Sequence, residues 1–351
     1  MRYSRVFVDA IGYELPPIVV SSDDLEERLA PVLSALRIPR GQLKAWTGIV
    51  ERRWWEEGFP LAQGAIQAAR RALEASRVRP HEIEAVIYGG VSRELFEPAT
   101  ACQVAADLGV ADHAVVHDVS NACLGVLTGM VEIANRIELG QIRAGIVVSC
   151  ESAREINEIT IEELLAHVHD LERFKEGVAT LTGGSGAAAV VLTDGSFGPE
   201  PGRRLLGGVT RTAPQFHALC RWGIEAVLTP AARCFRQFMS TDSLAVLKHG
   251  ADLGFRTWGA FLRKLGWSQE LIDKIICHQV GQSHRDAILR ALGIAPEKDF
   301  PTYPYLGNIG TVSLPLTAAL AEERGFLKPG DRVGWLGIAS GLNCMMLGLE
   351  W

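Results

Sequence analysis

The chain has 351 residues, 48% of them apolar and 22% charged. That is ordinary for a folded protein with room for one large α/β domain or two domain-sized halves. A formal charge of −6 and a pI near 5.9 argue against a general nucleic-acid binder, and the longest apolar runs fall far short of a membrane span. Seven cysteines, odd in number, scattered and without a CxxC pair, indicate neither a disulfide framework nor a zinc site.

The opening MRYSRVFVDAIGYELP lacks an apolar stretch of secretory length, so a cytoplasmic location is expected. ERR (51–53) and EPGRRLL (200–206) are the two local basic clusters that could meet an anion, although a solvated surface is the simpler reading of each. LAQGAIQAARRALEAS (61–76) carries alanine and leucine at helical spacing, and AVIYGGV is a short buried strand ending in turn residues. In VSRELFEPATA (91–101), Pro98 disfavours a helical conformation at Glu97 and leaves that residue on an extended loop.

AVVHDVSNA then reads as a strand, and LGVLTGMVEIANRIELG (124–140) as a helix ended by Gly140. Cys123 falls at the junction. A thiol there meets free backbone N–H groups and the positive end of the helix dipole, which favour a thiolate. The other reading is a small apolar residue filling a crowded turn. SAREINEITIEELLAHVHDLERFKEG (152–177) is rich in glutamate and predicts an exposed helical insertion, a lid or a dimer element. His167 and His169, two apart in that predicted helix, do not share a face, so no metal site is expected.

Past the strand GAAAVVL (186–192), FLRKLG (261–266) ends a helix before the strand DKIICHQV, which carries His278 at its end. Asn308 sits in a glycine-flanked loop, YLGNIGTVSLP, before the helix SLPLTAALAEERG (313–325). Two segments also repeat at one offset. EIEAVIYGGV (82–91) matches LIDKIICHQV (271–280), and IRAGIVVS (142–149) matches DRVGWLGI (331–338), both shifted by 189 residues. Two matches at one shift predict a duplicated half, with the halves at 1–195 and 196–351. Alternating strands and helices predict a largely parallel sheet covered on both faces, and loops at its strand ends tend to converge on one site. Cys123, His278 and Asn308 could there supply a nucleophile, a proton carrier and a neutral hydrogen-bond donor.

DVSNACLG, HQV and GNIGTVSLP, in that order, resemble the three active-site motifs of thiolase-fold ketosynthases of the β-ketoacyl synthase III type. GIASGLNCMM (337–346) and LTGGSGAAAVVL (181–192) extend the resemblance over nearly the whole chain. It implies a five-layered αβαβα fold of two pseudo-repeated halves, and a homodimer. Carried onto this chain, Cys123 would accept an acyl group as a thioester. His278 and Asn308 would hold the carbonyl of the second substrate and support its enolate. The backbone N–H groups of Cys123 and Ser340 would form the oxyanion hole, where one donor is worth about 3 kcal/mol of barrier.

SRELFEPATA, 26 residues before the cysteine, further resembles the matching loop of OleA-type synthases, which join two long acyl-CoA molecules head to head into a β-keto acid. In that family the glutamate, here Glu97, crosses the dimer interface into the partner's site and acts as base. SNACLG and GLNC also look more like this branch, and Cys344 lies several residues beyond the place where thiolases carry a second cysteine. Trp46 stands where initiating synthases often carry an arginine that helps bind CoA, a departure that, with the acidic stretch 152–177, favours a CoA thioester over a carrier-bound one. The expectation is non-decarboxylative condensation of two fatty acyl-CoAs, with no cofactor beyond the CoA thioester substrates. Two alternatives stay open: decarboxylative condensation with malonyl-acyl carrier protein, and acyl transfer to an alcohol or amine. Acyl carrier protein, or downstream enzymes of a lipid or hydrocarbon pathway, would be further partners.

Overall fold

The computed structural model describes residues 1–199, 202–228 and 233–351. Its strands are β1 (Phe7–Glu14), β2 (Ile18–Ser21), β3 (Glu51–Trp54), β4 (Ala85–Tyr88), β5 (Val115–Asp118), β6 (Ala144–Glu151) and β7 (Gly186–Thr193) in the first half. The second half adds β8 (Arg203–Thr212), β9 (Cys220–Leu228), β10 (Arg233–Thr241), β11 (Lys274–Cys277), β12 (Arg332–Ala339) and β13 (Asn343–Glu350).

Nine strands hydrogen-bond in the order β11-β12-β13-β8-β1-β7-β6-β4-β5. The pairs β4–β5, β4–β6 and β11–β12 are parallel, and the remaining neighbours are antiparallel. The sheet is therefore mixed, which corrects the largely parallel one expected. Each half closes with an antiparallel pair: β13 follows β12 through a short turn, and β7 returns beside β6. Neither pair needs the crossover helix that parallel neighbours require.

The repeat is visible in the elements themselves. β4 and β11 start and end 189 positions apart, as do the 3-10 turns Pro80–Glu82 and Gln269–Leu271 that precede them. The halves meet where β1 pairs with β8, Phe7 opposite Arg204 and Val8 opposite Arg203.

Alternation along the strands sorts side chains into three cores. Ile87, Val147, Trp335 and Leu347 point inward to a central layer, where Leu127, Met130 and Ile133 of helix Gly125–Glu138 meet Leu314 and Ala318 of helix Ser313–Glu323. Val86, Val148 and Val191 face outward onto helices Leu61–Ala75 and Thr100–Leu108. In the second half Ile275, Leu336 and Met346 face helices Ser243–Leu265 and Gln282–Leu292. The layer order is αβαβα, as expected. Each fully buried aliphatic side chain in these cores contributes roughly 1.5–3 kcal/mol.

The stretch 152–177 is not simply exposed. It forms most of two amphipathic helices, Arg154–Ala166 and Leu171–Leu181, whose Ile161, Leu164 and Phe174 pack on Leu25, Leu29 and Trp54. His167 and His169 lie in the link between them rather than within a helix. The β9–β10 hairpin lies alongside, with Arg236 bonded to Glu163 at 2.7 Å.

Candidate active site

Cys123 occupies a 3-10 turn, Ala122–Leu124, that runs into helix Gly125–Glu138. Ala122 is held at φ +45°, a left-handed conformation that costs a non-glycine residue energy and sets the cysteine at the helix mouth. The helix can start there because residue 125 is glycine: a Cβ would stand 1.8 Å from the Gly89 carbonyl oxygen at the end of β4. Two links then tie this turn to the second half. Thr311 Oγ1 accepts from the Val126 N–H at 2.8 Å, and Asn343 Nδ2 donates to Asn121 Oδ1 at 2.9 Å. The second of these sets the turn that carries Ser340 against the cysteine turn.

Asn308 is fixed by its backbone on both sides. Its N–H donates to Thr182 O, and its carbonyl accepts from Gly184 N, each at 2.9 Å. Its Oδ1 accepts from Gly310 N at 3.1 Å, which leaves the amide nitrogen as the group offered to a ligand. His278 directly follows β11, and its N–H extends the ladder to Leu336 O at 2.9 Å. The next residue anchors the loop, since Gln279 Oε1 accepts from Thr302 N and Tyr303 N. His278 is 6% exposed, its Nδ1 has no protein partner, and it lines a cavity with Cys277, His284, Gly337 and Ile338.

Glu97 stands apart from this group. Glu151 anchors the start of its loop through Val91 N and Ser92 N, and Asp118 holds its end through Thr100 N and Ala101 N. Between these anchors the chain projects outward, with Glu97 exposed, Leu95 57% exposed and Phe96 96% exposed. The structure thus gathers the Cys123, Asn308 and Ser340 turns beside the strand end carrying His278, and leaves Glu97 facing away into solvent within one chain.

The electrostatics correct one expectation. Burial, then the nearby Cys220 and Glu151, push the Cys123 thiol up to about 12, outweighing the local backbone N–H that favours a thiolate. Burial, then the neighbouring His284, push His278 down to about 3. The resting pair is a neutral thiol and a neutral imidazole, so the thiol must lose its proton as the acyl group arrives.

The same shift makes stability depend on pH. His278, and His284 at about 4, stay neutral when folded but take up protons near pH 6.5 when unfolded. Stability is then full above about 6.5 and falls as the pH drops through the window down to about 4 for His284 and about 3 for His278. His284→Gln should lose less melting temperature than the parent between pH 7.5 and pH 5. Equal losses would contradict this.

The basic clusters are not anion sites. Arg52 is buried and donates to Ser22 Oγ and Leu181 O, while Arg53 donates to Pro16 O. Burial pushes the Arg52 guanidinium down to about 10. In the second cluster Glu200 and Pro201 lie outside the described residues, Arg203 pairs with Glu322, and Arg204 lies 3.7 Å from Glu350. Trp46 is 41% exposed and meets Phe174 edge-on. Sequence reading passed over Glu151, Thr311 and Asn343, which hold the turns together. The signal available was a glutamate closing the otherwise apolar strand IVVSCE.

Two family models match: the thiolase N-terminal domain over residues 55–193, and the C-terminal part of 3-oxoacyl-[acyl-carrier-protein] synthase III over residues 262–351. The chain is a thiolase-fold enzyme. An acyl-CoA:acyl-CoA alkyltransferase of Shewanella oneidensis is 55% identical over the whole of both chains. A cysteine-to-serine form of Xanthomonas campestris OleA, solved with bound lauric acid and lauroyl-CoA, superposes with a TM-score of 0.90 at 35% identity, covering 99% of this chain and all of that one. A glutamate-to-glutamine form of the same protein gives 0.92 at 35% identity, covering 100% and 98%. In that protein the substituted glutamate precedes the substituted cysteine by 26 positions, the separation of Glu97 and Cys123. The chain belongs to the acyl-CoA:acyl-CoA alkyltransferase, or OleA, family.

Proposed function

We propose that this protein joins two fatty acyl-CoA molecules head to head into a β-keto acid, with Cys123 carrying the first acyl group. The observation that carries this reading is the meeting of a thiol turn from one half with an amide turn and a histidine from the other, in a chain of this family. The Cys123 sulfur attacks the first thioester, its proton passes by way of His278 to the departing sulfur, and CoA leaves as the thiol. The Asn308 amide and His278 then hydrogen-bond the carbonyl oxygen of the second acyl-CoA while its α-proton is removed. The resulting carbanion attacks the acyl-Cys123 carbonyl, whose oxyanion rests on the N–H groups of Cys123 and Ser340, and the cysteine sulfur leaves. Water then cleaves the remaining thioester, giving the β-keto acid and a second CoA.

Glu97 is the base for the α-proton. It serves the site of a second copy in a homodimer, which accounts for a projecting loop led by exposed Leu95 and Phe96. The shared 26-residue separation supports the assignment. Among the described residues no helix is long and apolar enough to cross a membrane.

The test supplies one long-chain acyl-CoA and no malonyl thioester. Two CoA released per β-keto acid is the expected result. Product only with malonyl-carrier protein would establish the decarboxylative alternative instead. CoA release only with an added alcohol or amine would establish simple acyl transfer.

A further inference from the structure

One buried carboxylate belongs to no step above. Glu151 closes β6 and is 4% exposed. Its Oε1 accepts from Val91 N at 2.9 Å, and its Oε2 accepts from Ser92 N at 3.1 Å and Ser92 Oγ at 2.9 Å. The Thr311 backbone N–H adds to the dipoles that favour the ionised form. No lysine, arginine or histidine pairs with it among the described residues, so fixed dipoles alone offset its charge. Burial raises its carboxyl above the ordinary range, and those hydrogen bonds pull it back.

It bridges two different loops. Val91 and Ser92 are the root of the loop that carries Glu97. Thr311 lies three residues past Asn308 and, through its hydroxyl, also holds Val126 at the start of the cysteine helix. Gly310 lets the carboxylate approach this turn: a Cβ there would sit 3.2 Å from Glu151 Cγ. Glu151 also stands 189 positions before Ser340, so equivalent strand ends of the two halves both feed the site.

We propose that Glu151 is a positioning residue for carbon–carbon bond formation, setting the Glu97 loop and the Asn308 turn in register through the N–H groups of Val91 and Ser92 and its close packing on the Gly310–Thr311 turn. The assignment rests on the proposed function, because both residues it positions act after Cys123 is acylated. The two half-reactions therefore separate the idea from a general role in folding. Both carboxylate oxygens already accept backbone N–H bonds. In Glu151→Gln the amide NH₂ must consequently face a backbone N–H in either orientation.

The experiment follows Cys123 acylation by intact-protein mass and β-keto acid formation from one acyl-CoA, in the parent, Glu151→Gln and Ser92→Ala. The parent's own turnover checks the proposed function independently. Glu151→Gln, which also removes a charge that raises the Cys123 thiol, should acylate at least about as fast as the parent and condense about 100-fold more slowly, the range of a lost preorganised contact. Ser92→Ala, which removes only the side-chain bond, should condense about fivefold more slowly, and the double variant no worse than Glu151→Gln alone. Equal loss of both half-reactions, or condensation within twofold of the parent in both variants, would overturn the assignment. If Glu151→Gln fails to fold, the split between half-reactions in Ser92→Ala decides.

Discussion

Glu97→Gln should still take an acyl group onto Cys123 at near the parent rate, yet form β-keto acid about 10³-fold more slowly. A positioned general base is worth roughly 10²–10⁴ in rate, and glutamine cannot accept a proton. Burst release of one CoA per chain, followed by stalled turnover, is the signature. Acylation is spared because Glu97 projects from the chain's own cysteine turn, and its loop is anchored by Glu151 and Asp118 rather than by any bond to residues 121–126. Mixing this variant with a Cys123→Ala variant tests the shared-site arrangement. Mixed dimers would hold one site with both an intact cysteine and an intact glutamate, and so recover part of the activity. No recovery with proven subunit exchange would place Glu97 in its own chain's site.

Cys123→Ala should abolish acylation outright and reduce β-keto acid formation by at least about 10⁴-fold, since no other group replaces the covalent carrier. Three of the other cysteines are closed off. Cys150, Cys277 and Cys344 are buried in strands, and burial pushes their thiols up as well. Mass analysis with excess acyl-CoA should show one acyl adduct on the parent and none on the variant. An adduct that persists on the variant would move the nucleophile elsewhere.

Much of this architecture could be read from local sequence. The helices predicted at 61–76 and 124–140 form as Leu61–Ala75 and Gly125–Glu138, because apolar spacing and terminal glycines act within a single turn. The 189-residue repeat reappears in the strands β4 and β11, since duplicated strands keep their register. The mixed sheet was not legible: the direction in which β7 returns beside β6 depends on tertiary pairing rather than on the strand's own residues. Nor was the resting state of Cys123. A helix terminus argues for a thiolate, but burial overrides it, joined by Cys220 and Glu151, groups distant in sequence. Glu151 stayed hidden for a similar reason, because its bonded partners lie about 60 residues away along the chain and the turn it packs on about 160.

The 189-residue relation has an evolutionary consequence. A symmetric pair of halves would offer two half-sites, with a cysteine near 312 and a histidine near 89. Here those places hold Val312, buried in the core, and Gly89, whose α-carbon abuts Gly125 so closely that any Cβ would meet backbone at 2.7 Å. The space that a second imidazole would need is filled by the start of the helix behind Cys123. The halves have become a lock and its key, and no single substitution can make them twins again.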